Sequence, residues 1–222
     1  MSHCDGLSEE VTEDICYTYT RVYNNLVRDG WPYFCCANWL YNDVSASKTL
    51  FENNIVHGSG SEAIIHHCGL ENESKNNYVH RIVSPSNGQE PIDILWGFCE
   101  ANQGKLQSFT DHHNIYFFED TEDFALYKSY NYFDERSVFS DNLYFSLVPE
   151  DEFKGMFPPD NIPFADLPSA GSERNQWTDP KFEDPAINNY QLAEDSPAFG
   201  MGIEQIRLDN FGIQGKKRPF YL

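Results

Sequence analysis

The chain has 222 residues and a mass of 25.6 kDa, enough for one domain with a sizeable core. Its formal charge of −20 and pI near 4.5 argue against a nucleic-acid binder, because phosphates need Lys and Arg. Aromatics make up 15 % of the residues, and no apolar run approaches the roughly 20 residues of a membrane span.

In chain order, residues 1–14 are polar and acidic and read as a lead-in. Ile15–Val27 is the first β-prone run, and Asp29-Gly30-Trp31-Pro32 is a turn. Tyr33–Tyr41 reads as a strand, Asn42–Ser47 as a corner and Thr49–Val56 as the next strand run. His57-Gly58-Ser59-Gly60-Ser61 has the composition of a flexible turn; it is neither a phosphate loop nor a nucleophile elbow. Ala63–Cys68 and Ile92–Cys99 read as strands with Ser84–Glu90 as an inserted loop before the second, Gln107–Phe118 and Phe124–Tyr130 continue the repeat, and Val138–Val148 is its last rung. From Pro149 the character changes, since most of the twelve prolines lie there. Residues 149–222 read as a tail that wraps the end or side of the domain and hides its last edge.

A short phrase recurs through residues 15–148: Asn24-Asn25-Leu26-Val27, Asn53-Asn54-Ile55-Val56, Asn76-Asn77-Tyr78-Val79, His113-Asn114-Ile115-Tyr116 and Asp141-Asn142-Leu143-Tyr144. A ragged period in the twenties and thirties is the mark of a repeat architecture. Helical repeats need apolar residues at 3.6 spacing over ten or more positions, and these runs are too short. Asn tolerates the left-handed backbone of a sharp corner, and its amide can bond the amide of the neighbouring rung. The expected fold is therefore all-β: a right-handed parallel β-helix over residues 15–148 with an irregular, Pro-rich tail. The competing reading is an ordinary β-sandwich with chance Asn pairs.

Trp39-Leu40-Tyr41-Asn42-Asp43, Glu52-Asn53-Asn54-Ile55-Val56 and Ala63–Gly69 resemble the later coils of secreted carbohydrate-active β-helix proteins of the pectate-lyase-like superfamily. Asp179-Pro180-Lys181-Phe182-Glu183-Asp184-Pro185, Tyr190-Gln191-Leu192 and Ser196-Pro197-Ala198 resemble their C-terminal signature. Such proteins include lyases, hydrolases and non-enzymatic binders, so the resemblance implies fold more than reaction. It implies an extracellular home, although no signal peptide opens this chain. It also implies further coils upstream, since residues 1–6 offer no apolar cap.

Strand alternation sorts the candidate site. If Trp39, Tyr41 and Asp43 face out, Leu40 faces the core; if Ile64 and His66 face out, Ala63 and Ile65 face in and His67 takes the inward parity. Asp43 and His66 then lie side by side, one coil apart, near aromatics that stack on sugar rings. The resemblance to β-xylosidase-like enzymes implies Asp43 as nucleophile. It places His66 where a second carboxylate is expected, a departure from a two-carboxylate mechanism. Glu62, Glu71 and Asp111 are the substitutes for that second carboxylate. Trp39, Tyr41, His67, Glu71 and Arg81 complete the expected glycan contacts.

The expected activity is glycoside hydrolysis of a neutral polysaccharide, because the few basic residues before Gln107 suit a neutral sugar better than a uronate. The alternatives are a lyase with His66 as base and Arg81 or calcium neutralising the uronate, and a non-catalytic glycan-binding or structural β-helix. No resident metal or other cofactor is expected apart from that calcium; no membrane or nucleic-acid partner is expected. The cysteines Cys4, Cys16, Cys35, Cys36, Cys68 and Cys99 lack zinc-type spacing and read as buried thiols. His112-His113 is expected to stack within the Asn114 rung rather than bind metal, because strand neighbours point to opposite faces. Asn72-Glu73-Ser74 is a glycosylation sequon in an expected turn, a weak sign of secretion.

Overall fold

The structure is a computed structural model that describes residues 20–28, 40–42, 46–58, 63–67, 69–81, 95–98, 107–119, 127–129, 138–147 and 174–207. Each Asn phrase is a corner between two strands. The residue before the repeated Asn takes the left-handed backbone: Asn24, Asn53, Asn76, His113 and Asp141 have φ between 51° and 57°. Each repeat unit accordingly divides there into two short strands, the run–Asn turn–run pattern expected from the phrase. Thr20–Tyr23 (β1) is followed by Leu26–Arg28 (β2), and Thr49–Glu52 (β4) by Ile55–His57 (β5). Gly69–Lys75 (β7) is followed by Tyr78–Arg81 (β8), Gln107–His112 (β10) by Ile115–Phe118 (β11), and Val138–Ser140 (β13) by Leu143–Ser146 (β14). His57 belongs to β5 and is buried, so the turn expected from it begins only at Gly58.

The remaining strands are Leu40–Asn42 (β3), Ile64–His67 (β6), Leu95–Phe98 (β9) and Tyr127–Ser129 (β12). Three parallel sheets result: sheet A in the order β1-β4-β7-β10-β13, sheet C in the order β12-β9-β6-β3, and sheet B, in which Gln176–Trp177 (β15) precedes β14-β11-β8-β5-β2. From β1 to β14 the chain visits A, B and C in unvarying rotation, and each strand pairs with the one laid down a circuit earlier. The domain is all-β in its sheets, with parallel pairing throughout the three of them.

The repeated Asn side chains line one corner as a continuous ladder. The backbone N–H of Asn25 donates to Oδ1 of Asn54 (3.1 Å), Asn54 to Asn77 (3.0 Å), Asn77 to Asn114 (2.8 Å) and Asn114 to Asn142 (2.9 Å). From Asn54 onward each Nδ2 also reaches back to a carbonyl of the preceding circuit, as Asn77 does to Phe51, while Asn25 Nδ2 donates to the Tyr23 carbonyl. A buried corner strands backbone donors, and the amide satisfies them. Asn142 passes the ladder to Asn175 (2.9 Å), so β15 is one more rung, inside the segment expected to be wrapping tail.

Between the sheets lies an apolar core of Leu40, Phe51, Val56, Ile64, Val79, Phe109, Tyr116, Phe118, Phe139 and Tyr144. A second core forms outside sheet B. There Ile55, Tyr78, Ile115 and Leu143 meet Tyr190, Leu192, Ala198, Ile203 and Ile206 of the tail. This stretch contains an antiparallel pair, Phe182–Asp184 (β16) with Asn189–Leu192 (β17), and one turn of helix, Pro197–Gly200 (α1). Ser196 caps α1 by accepting from the Ala198 N–H, with Pro197 at the first helical position. The tail thus covers a sheet face, the side-wrapping of the two expected placements. Among the described residues no helix is long and apolar enough to cross a membrane.

Candidate functional site

His66 is where sequence parity and structure part. Register pairs Leu40 with Ile64, Tyr41 with Ile65 and Asn42 with His66. Leu40 is buried, so Ile64 and His66 share its inward face, and both have 0 % exposure. The imidazole stacks on Phe51 (5.1 Å between centroids), tilts against Phe109 and lies 3.1 Å from Ser74 Oγ. Burial holds its pKa down to about 3. The outward placement of His66 is corrected: alternation fixes that neighbours differ in face, not which of them faces in, and that choice is made by the register with β3. A neutral imidazole packed between phenyl rings fills the core and does not meet a polymer outside.

Tyr41 is exposed on the outer face of sheet C, as expected. His67 lies on β6 opposite Phe98, and Arg81 ends β8 opposite Phe118. Asp43, Glu62 and Trp39 lie outside the described residues, as do all six cysteines. Glu71 stands at the corner that leads from sheet C into sheet A. It has φ 58° and pairs with Lys48 at 3.6 Å, one circuit earlier, where φ is 57°. Gly69 makes this corner: it has φ 92°, and a Cβ there would sit 2.1 Å from the Ala46 carbonyl oxygen. Asp111, a proposed substitute carboxylate, is buried with 0 % exposure and accepts from Tyr116 Oη (2.7 Å), Asn114 Nδ2 (2.9 Å) and Asn142 Nδ2 (3.0 Å). Its role is to tie the Asn ladder to the core.

The outer face of sheet A carries a polar strip. Register aligns Tyr23, Glu52, Lys75 and His112 in one row across four strands. Arg21 pairs with Glu52 and lies over the Tyr23 ring, 4.9 Å from its centroid. His112 Nε2 faces Glu73 Oε1 at 2.8 Å, and its Nδ1 faces His113 Nδ1 at 2.7 Å. A carboxylate only accepts, so with neutral rings His112 donates to Glu73 and accepts from His113. The hydrogen bond from His112 lowers the Glu73 pKa. The two histidines meet, against expectation, because His113 is in the left-handed corner conformation and not in the strand. Asn72 corrects the sequon: it lies in β7, 1 % exposed, with Oδ1 accepting the Thr49 N–H (3.0 Å) and Nδ2 donating to the Ala46 carbonyl (3.0 Å). A glycan cannot be attached to that buried amide.

Sequence reasoning missed a further cluster on the outer face of sheet B. Tyr190 Oη contacts Nδ1 of both His57 and His80, the latter at 2.8 Å. His80 Nε2 lies 3.0 Å from Glu119 Oε1, and its ring stacks on Phe117 at 4.5 Å. Burial first, then the neighbouring His57, brings the His80 pKa down to about 3. The shared position of His57 and His80 in the repeated phrase, three residues after Asn54 and Asn77, was the available signal. Among the described residues no three His, Cys, Asp or Glu side chains group so as to hold a metal ion. No family model, curated protein or solved structure matches the chain.

Proposed function

We propose that the chain is a right-handed parallel β-helix of the pectate-lyase-like kind, extracellular, which acts on a neutral polysaccharide as a glycoside hydrolase. The observation that carries a polymer-binding role is the aligned outer row of sheet A, Tyr23, Glu52, Lys75 and His112, flanked by Arg21 and Glu73. Parallel strands repeat every ~4.8 Å, so such a row offers hydrogen-bonding groups at short, regular steps to an extended sugar chain. Among the described residues the tail takes the outer face of sheet B, and the proposed ligand face is that of sheet A.

Hydrolysis rests on Asp43 as nucleophile. His66 and Asp111 are buried, whereas Glu71 is exposed where the chain passes from sheet C into sheet A, so Glu71 replaces His66 as the second carboxylate in this reading. The chain should release new reducing ends from a neutral oligosaccharide panel, without the ultraviolet absorbance of an unsaturated uronate. Asp43→Asn and Glu71→Gln should each lower that rate at least about 100-fold while keeping the fold. Full activity in Asp43→Asn would overturn the assignment. Appearance of the absorbance, with loss on chelation, would establish the lyase alternative with calcium. A second reading, a non-catalytic glycan binder, is favoured by the burial of His66; it requires retention on an immobilised glycan with no new reducing ends.

A further inference from the structure

The tail is fixed to sheet B by two chemically different sets of contacts. Toward its C-terminal end they are neutral. Asn76 clamps the Glu204 backbone, Nδ2 donating to its carbonyl (3.1 Å) and Oδ1 accepting its N–H (2.8 Å). Tyr78 Oη donates to the same carbonyl at 2.7 Å. At the β16–β17 hairpin the contacts are titratable. Tyr190 sits between His57 and His80, with Phe182 against Tyr78, Phe117 and Tyr190.

With neutral rings one proton arrangement serves the whole cluster. His80 donates from Nε2 to Glu119 and therefore accepts at Nδ1 from the Tyr190 hydroxyl, whose oxygen accepts from His57 Nδ1. A proton added to His80 turns its Nδ1 into a donor, so two N–H groups then point at one phenolic oxygen. Two charged rings would also lie 5.1 Å apart. Among the charged groups beside the pair are Glu119, 3.0 Å from His80, and Arg28, in register with His57.

We propose that the Phe182–Leu192 hairpin is an acid-released cover, which lifts from His57 and His80 when they are protonated while Glu204–Ile206 and the three sheets stay in place. In the lifted state an exposed imidazole takes up its proton near pH 6.5. In the closed state burial keeps His80 neutral down to about 3. For His80, each pH unit from 6.5 down toward about 3 therefore favours the lifted state about tenfold. Lifting uncovers the outer row of His57, His80, Phe117 and Phe145, a mixed aromatic and cationic face.

Hydroxyl-radical footprinting of the full chain, read by mass spectrometry and normalised to the exposed Tyr23, tests this. Between pH 7.5 and 4.5 the labelling of Tyr190 and Phe182 should rise at least about fivefold, reversibly, while the core residues Tyr116 and Tyr144 stay protected. His57→Gln with His80→Gln, which keeps polar side chains but cannot be charged, should abolish the rise. If that double variant labels Tyr116 at pH 7.5, each single variant replaces it and should make the transition shallower. The proposal is overturned if Tyr190 stays protected at pH 4.5, if it is labelled only together with Tyr116, or if the glutamine variants show the full rise.

Discussion

The repeated Asn carries most of the specificity of this chain at the residue scale. Its amide is long enough to reach the next circuit and short enough to stay inside the corner, and it offers both a donor and an acceptor. Asn77 illustrates the demand: it accepts from Asn54 through both N–H and Nδ2 and donates to the Phe51 carbonyl and Asn114. Asn77→Ala should cost about 3 kcal/mol, because buried partners on both neighbouring circuits lose their bonds. A fall of less than about 1 kcal/mol in denaturant titration would show that the ladder is not limiting. Asp111 belongs to the same network and shows why a carboxylate motif need not be a site.

His66 makes a second prediction at this scale. Its pKa is near 6.5 unfolded and about 3 folded, so the unfolded chain binds the extra proton between those values. Its stability contribution is fully present above pH 6.5 and is lost as pH falls toward 3, by up to about 1.4 kcal/mol per unit. His66→Phe, flanked by Phe51 and Phe109, should make stability between pH 7.5 and 4.5 less pH-dependent than in the parent. An unchanged slope would contradict the buried, neutral state. The folded variant should also keep any glycan turnover, since the ring does not reach the surface.

At the scale of the element, corners decide where strands end. Left-handed residues at Asn24, Asn53, Asn76, His113 and Asp141 divide the β-prone rungs into pairs of short strands on two different sheets. Gly69 is required at its own corner, both for its φ and for the approach of the Ala46 carbonyl. Gly69→Ala should therefore cost at least about 2 kcal/mol and shift the thermal midpoint down. Lys48 adopts a left-handed backbone without the local hydrogen bonding of Asn, and its ion pair with Glu71 is largely exposed. Lys48→Asn should raise stability by about 0.5 kcal/mol; a loss would mean that the ion pair outweighs the backbone term.

Over the whole molecule, three sheets present three outer faces of unlike character. Sheet B is apolar outside apart from the His57–His80 pair and is finished by the tail, sheet A is a strip of paired charges, and sheet C shows Tyr41. The net charge of −20 coexists with a concentration of Arg21, Lys48, Lys75 and Arg174 on or beside sheet A, each paired with a carboxylate. The proposed neutral polymer would exchange hydrogen bonds with such pairs without a net electrostatic penalty. On that proposal its retention should fall little between 0.05 and 0.5 M salt, on the order of twofold or less, whereas a polyanion's would fall steeply. Affinity chromatography at the two salt concentrations reads the difference.

The sequence by itself determined what short-range chemistry determines. The Asn positions, their ragged spacing and the brevity of the apolar runs dictate β-strands with sharp corners, stacked so that each amide meets the next. They did not determine inside from outside at Ile64–His67, because a period of two is symmetric and only the partner strand breaks the symmetry. Nor did they reveal Asn175 as a further rung, since Gln176 follows it where the repeated phrase has an apolar residue. Only the tertiary structure decided that the tail completes the outer face of sheet B and brings Tyr190 between His57 and His80. Contacts between positions 133 and 110 residues apart leave no local periodicity, because their partners are chosen by the faces left apolar once the sheets have formed.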